Sequence, residues 1–94
     1  MTVTASYDLT VGSNQHVKTI IVNNSASATI ALPSAAGIVG REYNIKKVSA
    51  TGGGRTVVID PAGAELVDGN GTFSLTSQYE AITLISDGAN WHIV

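Results

Sequence analysis

The sequence contains no cysteine, only two prolines and few charged side chains. Without cysteine the chain has no disulfide, no thiolate metal ligand and no cysteine nucleophile. Charged residues make up 13% of the chain, against about 25% in an average domain. The formal net charge is −2 and no basic stripe is present, so nucleic acid is not an expected partner.

Long apolar runs are also missing. No run approaches the roughly 20 residues that a membrane-spanning helix needs, and the first residues alternate polar and apolar types without the basic start of a signal peptide. We therefore expect no membrane partner. The 94 residues suit one domain, residues 1–94, with a thin core, because a chain this short buries only about 60% of its unfolded surface.

What the chain does contain is period-two alternation of β-branched and aromatic residues, which is typical of half-buried strands. Turn-forming sequences separate the alternating segments, most clearly the hairpin-type Asp68-Gly69-Asn70-Gly71. No segment has a helical period, although residues 33–40 leave room for one helical turn. The predicted strands are 3–9, 16–22, 29–32, 41–48, 55–60, 65–67, 72–76, 79–86 and 90–94.

This spacing predicts an all-β fold. We expect a small antiparallel β-sandwich or barrel of about eight to nine short strands, and a trimeric β-prism-like assembly is a third arrangement. In the later strands both faces carry apolar groups, since Ala81 and Ile85 alternate with Ile82 and Leu84. Either a second sheet or another subunit must cover one of these faces. The low charge content favours another subunit.

Catalytic and metal-binding patterns are not recognisable. His16 and His92 each stand alone in a strand pattern, without the partners that a zinc site needs. No serine lies in a Gly-x-Ser-x-Gly elbow, and the glycine triplet at 52–54 lacks the spacing of a phosphate-binding loop. We therefore expect a protein that is not an enzyme and that has no cofactor.

Three aspartates in turns leave two interpretations open. Asp60, Asp68 and Asp87 lie in glycine-containing turns, where oxygen ligands can hold calcium or where the side chains simply bond to the turn backbone. The twelve-residue calcium-loop pattern is absent, so the second interpretation is favoured and no metal is expected.

Four segments stand in a characteristic order: TIALPSAAG at 29–37, REYNIKK at 41–47, VVIDPAG at 57–63 and SDGANWHIV at 86–94. Together they resemble a β-rich module found near the C-terminal ends of tail fibres, appendages and head fibres of tailed bacteriophages. The resemblance covers about residues 27–94. It implies a non-enzymatic structural component of the virion, commonly trimeric, made in the host bacterial cytoplasm, with capsid or tail proteins as further partners.

The resemblance leaves the part of the virion open. A free-standing protein would suit a capsid decoration or head-fibre role, and a piece of a longer fibre would suit a tip or trimerisation domain. For a homotrimer, one face of the last two strands is the expected interface. The predicted interface residues are Ile82, Leu84, His92 and Val94.

An alternative function is recognition of a host surface glycan by an exposed aromatic ring with polar neighbours. The candidate contact residues are Gln78, Tyr79, Asn90 and Trp91. A third function, glycan depolymerisation, needs two carboxylates on either side of a sugar. The small size of the chain and the lack of an evident groove argue against it.

Overall fold

Two β-sheets share one hydrophobic core in the computed structural model, which describes residues 1–9 and 18–94. The described residues contain no helix, so the all-β prediction is confirmed. Neither sheet closes on itself in the described part of the chain, and the barrel alternative is therefore wrong. The strands are β1 (Thr2–Val3), β2 (Tyr7–Asp8), β3 (Thr19–Val22), β4 (Ala28–Ala31), β5 (Glu42–Lys47), β6 (Val57–Asp60), β7 (Phe73–Leu75), β8 (Ala81–Ser86) and β9 (Trp91–Ile93).

The first six strands alternate between the sheets, which is the main difference from the predicted antiparallel arrangement. The five-stranded sheet has the order β1-β3-β5-β8-β9, and the four-stranded sheet has the order β2-β4-β6-β7. Because the chain returns to each sheet only after crossing the other, β1, β3 and β5 run parallel, as do β2, β4 and β6. β7, β8 and β9 then add antiparallel pairs. Both sheets are therefore mixed, and the first six strands form a short β-solenoid.

The first predicted strand, 3–9, is two strands in different sheets. β1 pairs with β3, and β2 pairs with β4, with a bend at residues 4 and 5 between them. An alternating pattern cannot reveal this break, because the alternation continues across the bend. The predicted strand 16–22 begins at Thr19 in the described residues, and His16 lies outside them.

The local turn chemistry is largely as predicted. Val67 and Asn70 exchange two backbone hydrogen bonds of 2.8 and 2.9 Å around Asp68 and Gly69. Both central residues have positive φ, 48° and 80°, as a type I′ hairpin turn requires. Segment 65–67 is not a strand, since only Val67 makes isolated bridges. Residues 33–40 form hydrogen-bonded turns rather than a helical turn.

The core lies between the sheets and follows the predicted alternation. In β8, Leu84 is fully buried whereas its neighbours are half-buried, and in β9 Trp91 is fully buried whereas His92 is exposed. The inner face of each sheet is thus covered by the other sheet. The fully buried apolar residues include Leu9, Ile20, Val22, Ile30, Leu32, Tyr43, Ile45, Val57, Ile59, Val67, Leu75, Leu84 and Trp91.

Candidate functional site

The four predicted interface residues do not share a face. Ile82 and Leu84 point toward the core, and Leu84 is fully buried. His92 and Val94 have the opposite parity and are exposed, Val94 to 74%. The reason is the pairing of β8 with β9, in which Leu84 lies opposite Ile93 and Ile85 opposite His92. Sequence reasoning paired the right strands in the wrong register, since one residue of slip exchanges the two faces.

The four predicted glycan contacts do not form one surface either. The Trp91 ring is fully buried against Tyr43, at 5.6 Å between ring centroids, and Trp91 Nε1 donates to the carbonyl of Pro33 at 3.3 Å. Gln78 and Tyr79 precede β8, whereas Asn90 follows it. The length of β8, roughly 17 Å for six extended residues, separates them. Of the four, Tyr79 is the exposed aromatic residue.

A cleft opens on the outer face of the five-stranded sheet. Its volume is about 330 Å³. Three polar side chains cross it in one row, because Asn44 of β5 pairs with Thr19 of β3 and with Thr83 of β8. The lining residues are Thr19, Asn44, Ile45, Lys46, Ala81, Ile82, Thr83, Ile93 and Val94.

Hydrogen bonds hold this polar row in order. Thr83 Oγ1 donates to Asn44 Oδ1 at 2.8 Å, and Asn44 Nδ2 donates to Thr19 Oγ1 at 3.3 Å. These two hydrogen bonds therefore determine which side-chain atom of Asn44 is the oxygen and which is the nitrogen. Sequence reasoning missed this row because the β3–β5 pairing is parallel and remote in sequence, so nothing in the local pattern brings Thr19 to Asn44.

Beside the cleft, Tyr79 adopts a conformation that is unusual for its residue type. Its φ is +66°, in the left-handed region, where a residue with a Cβ is strained by about 1–2 kcal/mol. The residue is 64% exposed, and Lys46 Nζ lies 5.6 Å from the centroid of its ring. Such strain persists only where the surroundings hold it in place.

A hydrogen-bonded turn at residues 76–80 supplies that support. The N–H of Tyr79 donates to the carbonyl of Lys47 at 2.7 Å, and the N–H of Gln78 donates to Thr51 Oγ1 at 2.8 Å. The carboxylate of Glu80 accepts from the N–H groups of Thr76 and Ser77, at 2.9 and 3.1 Å. The turn is thereby tied to β5 and to the loop that follows β5.

A buried lysine anchors that loop. Lys47 is fully buried, and its ammonium donates to the carbonyls of Ser49 and Ala50 at 2.8 and 2.9 Å. Ser49 Oγ in turn donates to Asn24 Oδ1 at 2.6 Å, which ties the loop to the chain after β3. Polar side chains therefore close this end of the core, and every buried polar side-chain atom among the described residues has a partner.

At the other end of β8, His92 lies between two aspartates. Its Nε2 is 2.6 Å from Asp87 Oδ2, and its Nδ1 is 3.7 Å from Asp68 Oδ1. The two ring nitrogens point in different directions, so these carboxylates do not converge on one point. Within residues 1–9 and 18–94, no group of three or more potential ligands is arranged to hold a metal ion.

Asp87 also organises the 87–90 loop. Its Oδ1 accepts from the N–H groups of Asn90 and Ala89, at 2.7 and 2.8 Å. The hydrogen bond from the Asn90 amide, followed by those from His92 and the Ala89 amide, lowers the pKa of Asp87 to about 2. The Asp87 side chain thus accepts hydrogen bonds from the turn backbone, as one of the two interpretations of the turn aspartates predicts.

This lowered pKa predicts a pH dependence of stability. Because the folded state prefers the ionised carboxyl, the contribution of Asp87 is present above its ordinary pKa of 3.8 and is lost as pH falls toward about 2. Asp87→Asn is therefore expected to lower the urea midpoint at pH 6 and to approach the parent protein at pH 2. His92→Gln keeps both amide donors and should retain part of the pH dependence. An Asp87→Asn difference that stays constant over this range would contradict the assignment.

No helix long and apolar enough to cross a membrane occurs in the part of the chain that the structure describes. Among known proteins, no family model, no curated protein and no solved structure matches this chain.

Proposed function

We propose that this chain is a non-enzymatic structural module of a bacteriophage virion, in a fibre, appendage, head fibre or capsid decoration, and that it self-associates as a homotrimer. The first support is the resemblance of four segments to phage fibre modules. Residues from these segments pack together: Trp91 lies against Tyr43 and donates to Pro33. Ser86 Oγ donates to the carbonyl of Ala35 at 2.8 Å. The segments that carry the resemblance therefore contribute to one core.

The main observation that supports self-association is a pair of exposed apolar residues at one end of the domain. Val39 is 73% exposed and Leu66 is 37% exposed. Val39 lies next to Gly88, because a Cβ atom added to Gly88 would be only 2.6 Å from Val39 Cγ2. The N–H of Leu66 donates to Asn90 Oδ1. Both residues therefore lie beside the 87–90 loop. We name Val39, Leu66 and residues 87–90 the loop-end surface.

Two further features favour this surface. His92, which was predicted at the interface, bonds to Asp87 of the same loop and so lies at its polar rim. An apolar centre with a polar rim is the usual anatomy of a protein interface. The edges of the sheets offer little for strand addition, since β1 and β2 have two residues each and β7 and β9 have three each. Association by side chains is therefore favoured over extension of a sheet.

The test is the mass of the protein by size exclusion with light scattering over a dilution series. We expect a mass near three times the 9.6 kDa of the chain. Val39→Asp should reduce it to the monomer mass while the circular dichroism of the folded protein remains, because a carboxylate would have to be desolvated in the interface.

Val94→Asp is the matched control, because Val94 is as exposed as Val39 but lies beside Thr83 in the cleft rather than at the loop-end surface. Its mass should stay that of the trimer. A parent protein that is monomeric at every concentration would refute self-association. Dissociation by Val94→Asp but not by Val39→Asp would move the interface to the outer face of the five-stranded sheet.

A further inference from the structure

The cleft on the five-stranded sheet combines three kinds of group at its surface. Hydroxyls and an amide form its polar row, an ammonium group from Lys46 stands at its edge, and the apolar side chains of Ala81 and Val94 complete it. At about 330 Å³ the cleft lies at the low end of the roughly 300–1,000 Å³ found for small-ligand sites. That volume suits a compact polar molecule with an apolar face.

The polar row is preorganised for a ligand with many hydroxyl groups. Asn44 accepts from Thr83 and donates to Thr19, so its orientation is set before any ligand arrives. Thr19 Oγ1 accepts in this row, which leaves its own hydroxyl hydrogen to be donated elsewhere, and the bond to Thr19 uses one of the two amide hydrogens of Asn44. Donors and acceptors therefore alternate along the row at fixed places. Preorganisation of this kind reduces the ordering cost of binding.

The tyrosine beside the cleft has a strained backbone conformation, which lowers the stability of the folded state. Glycine would adopt the positive φ of residue 79 without strain, yet the position carries tyrosine. Tyr79 is mostly exposed and is not part of the core, so burial in the core does not explain its presence. Strained residues that the surrounding structure holds in place cluster at binding sites. Lys46, which lies over the ring and also lines the cleft, joins the two features.

We propose that this cleft binds an acidic saccharide, one or two sugar residues in size and bearing a carboxylate. The sugar hydroxyls bond to Thr19, Asn44 and Thr83, an apolar face of the sugar ring packs on Tyr79, and the carboxylate pairs with Lys46. The acidic substituent follows from side-chain charge, because Lys46 has the charged side chain among the described residues that line the cleft. This inference does not rest on self-association, since the loop-end surface and the Tyr79 turn lie at opposite ends of β8.

The test is a titration of the ¹⁵N-labelled protein with D-glucuronic acid and D-galacturonic acid, followed by NMR, with neutral D-glucose as the matched ligand. At concentrations up to about 50 mM, above the millimolar dissociation constants of weak ligands, the uronic acids should shift the amide signals of Asn44, Lys46, Ala81 and Thr83. Lys46→Gln should remove the preference over glucose. Asn44→Ala should weaken binding of all three sugars at least tenfold.

Tyr79→Gly separates a binding role from a structural one. Glycine relieves the strained φ, so the melting temperature should stay the same or rise, while the affinity for uronic acids falls at least tenfold. A fall in melting temperature with unchanged affinity would overturn the role of the ring. Tyr79→Phe keeps the ring and should keep the affinity.

Three other outcomes would overturn the proposal. The first is that no amide shifts with any of the three sugars. The second is a set of shifts that map to the loop-end surface or elsewhere. The third is that the cleft amides shift on dilution of the protein without sugar, because a second copy of the chain would then occupy the cleft. The first two outcomes do not bear on the mass of the protein, so they leave the proposed trimer untouched. The third would also appear as dissociation by Val94→Asp in the mass measurement, so the failure of this site and the failure of the proposed trimer are distinguishable.

Discussion

Trp91→Ala is expected to lower the free energy of unfolding by about 3–5 kcal/mol, the range for removing a large aromatic side chain from a core. Trp91 is fully buried, packs its ring against Tyr43 and donates Nε1–H to the carbonyl of Pro33. Truncation would leave a cavity between the sheets and an unpaired carbonyl. Because small domains are stable by only about 5–15 kcal/mol, this single change should remove a large part of the free energy of unfolding.

Urea denaturation followed by circular dichroism measures this loss. Trp91→Phe is the matched control, since phenylalanine keeps most of the packing against Tyr43 and loses mainly the hydrogen bond to Pro33. Its expected cost is smaller, about 1–3 kcal/mol. A Trp91→Ala protein within about 1 kcal/mol of the parent would contradict the burial of the ring. The result also bears on function, because any glycan binding lost in this variant would reflect loss of the fold.

Leu84→Asp is expected to abolish the folded state. Leu84 is fully buried in the middle of β8 and contributes to the shared core. A carboxylate there would be desolvated without a partner, at a cost of several kcal/mol even if it becomes protonated. Added to the lost apolar burial of about 1.5–3 kcal/mol, this penalty is comparable to the whole stability of the domain.

The neighbouring residue provides the control. Ile85 has the opposite parity, is half-buried and lies opposite the exposed His92. Ile85→Asp is expected to leave a cooperatively folded protein with only a modest loss, about 1 kcal/mol. The two variants place the same charge on adjacent residues, so their contrast measures the register of β8 directly. The opposite result, in which Leu84→Asp folds and Ile85→Asp does not, would exchange the two faces of the sheet.

Much of the secondary structure could be predicted from local pattern. β5, β6, β8 and β9 lie inside predicted strands, and the alternation in β8 correctly separated Ala81 and Ile85 from Ile82 and Leu84. The sequence Asp68-Gly69 predicted a hairpin-type turn, and both residues have the positive φ that a type I′ turn requires. Alternation does not say which of two faces is covered. The predicted interface therefore combined two core residues with two exposed ones.

The candidate site was less predictable. Tyr79 was predicted as an exposed aromatic contact, and that residue is indeed exposed. Trp91 was predicted beside it, but its strand parity directs the ring into the core. Nothing in the sequence indicated that Thr19 and Thr83 flank Asn44.

The sequence by itself determined the all-β class, the segments that form strands and the turns that separate them, because these depend on residues close together along the chain. Only the tertiary structure decided that the first six strands alternate between two sheets and that Thr19, Asn44 and Thr83 stand in one row. Those features depend on pairing between strands that are far apart in sequence. Local propensity does not predict such pairing. The pairing is selected by the burial of the two inner faces against each other rather than by any single segment.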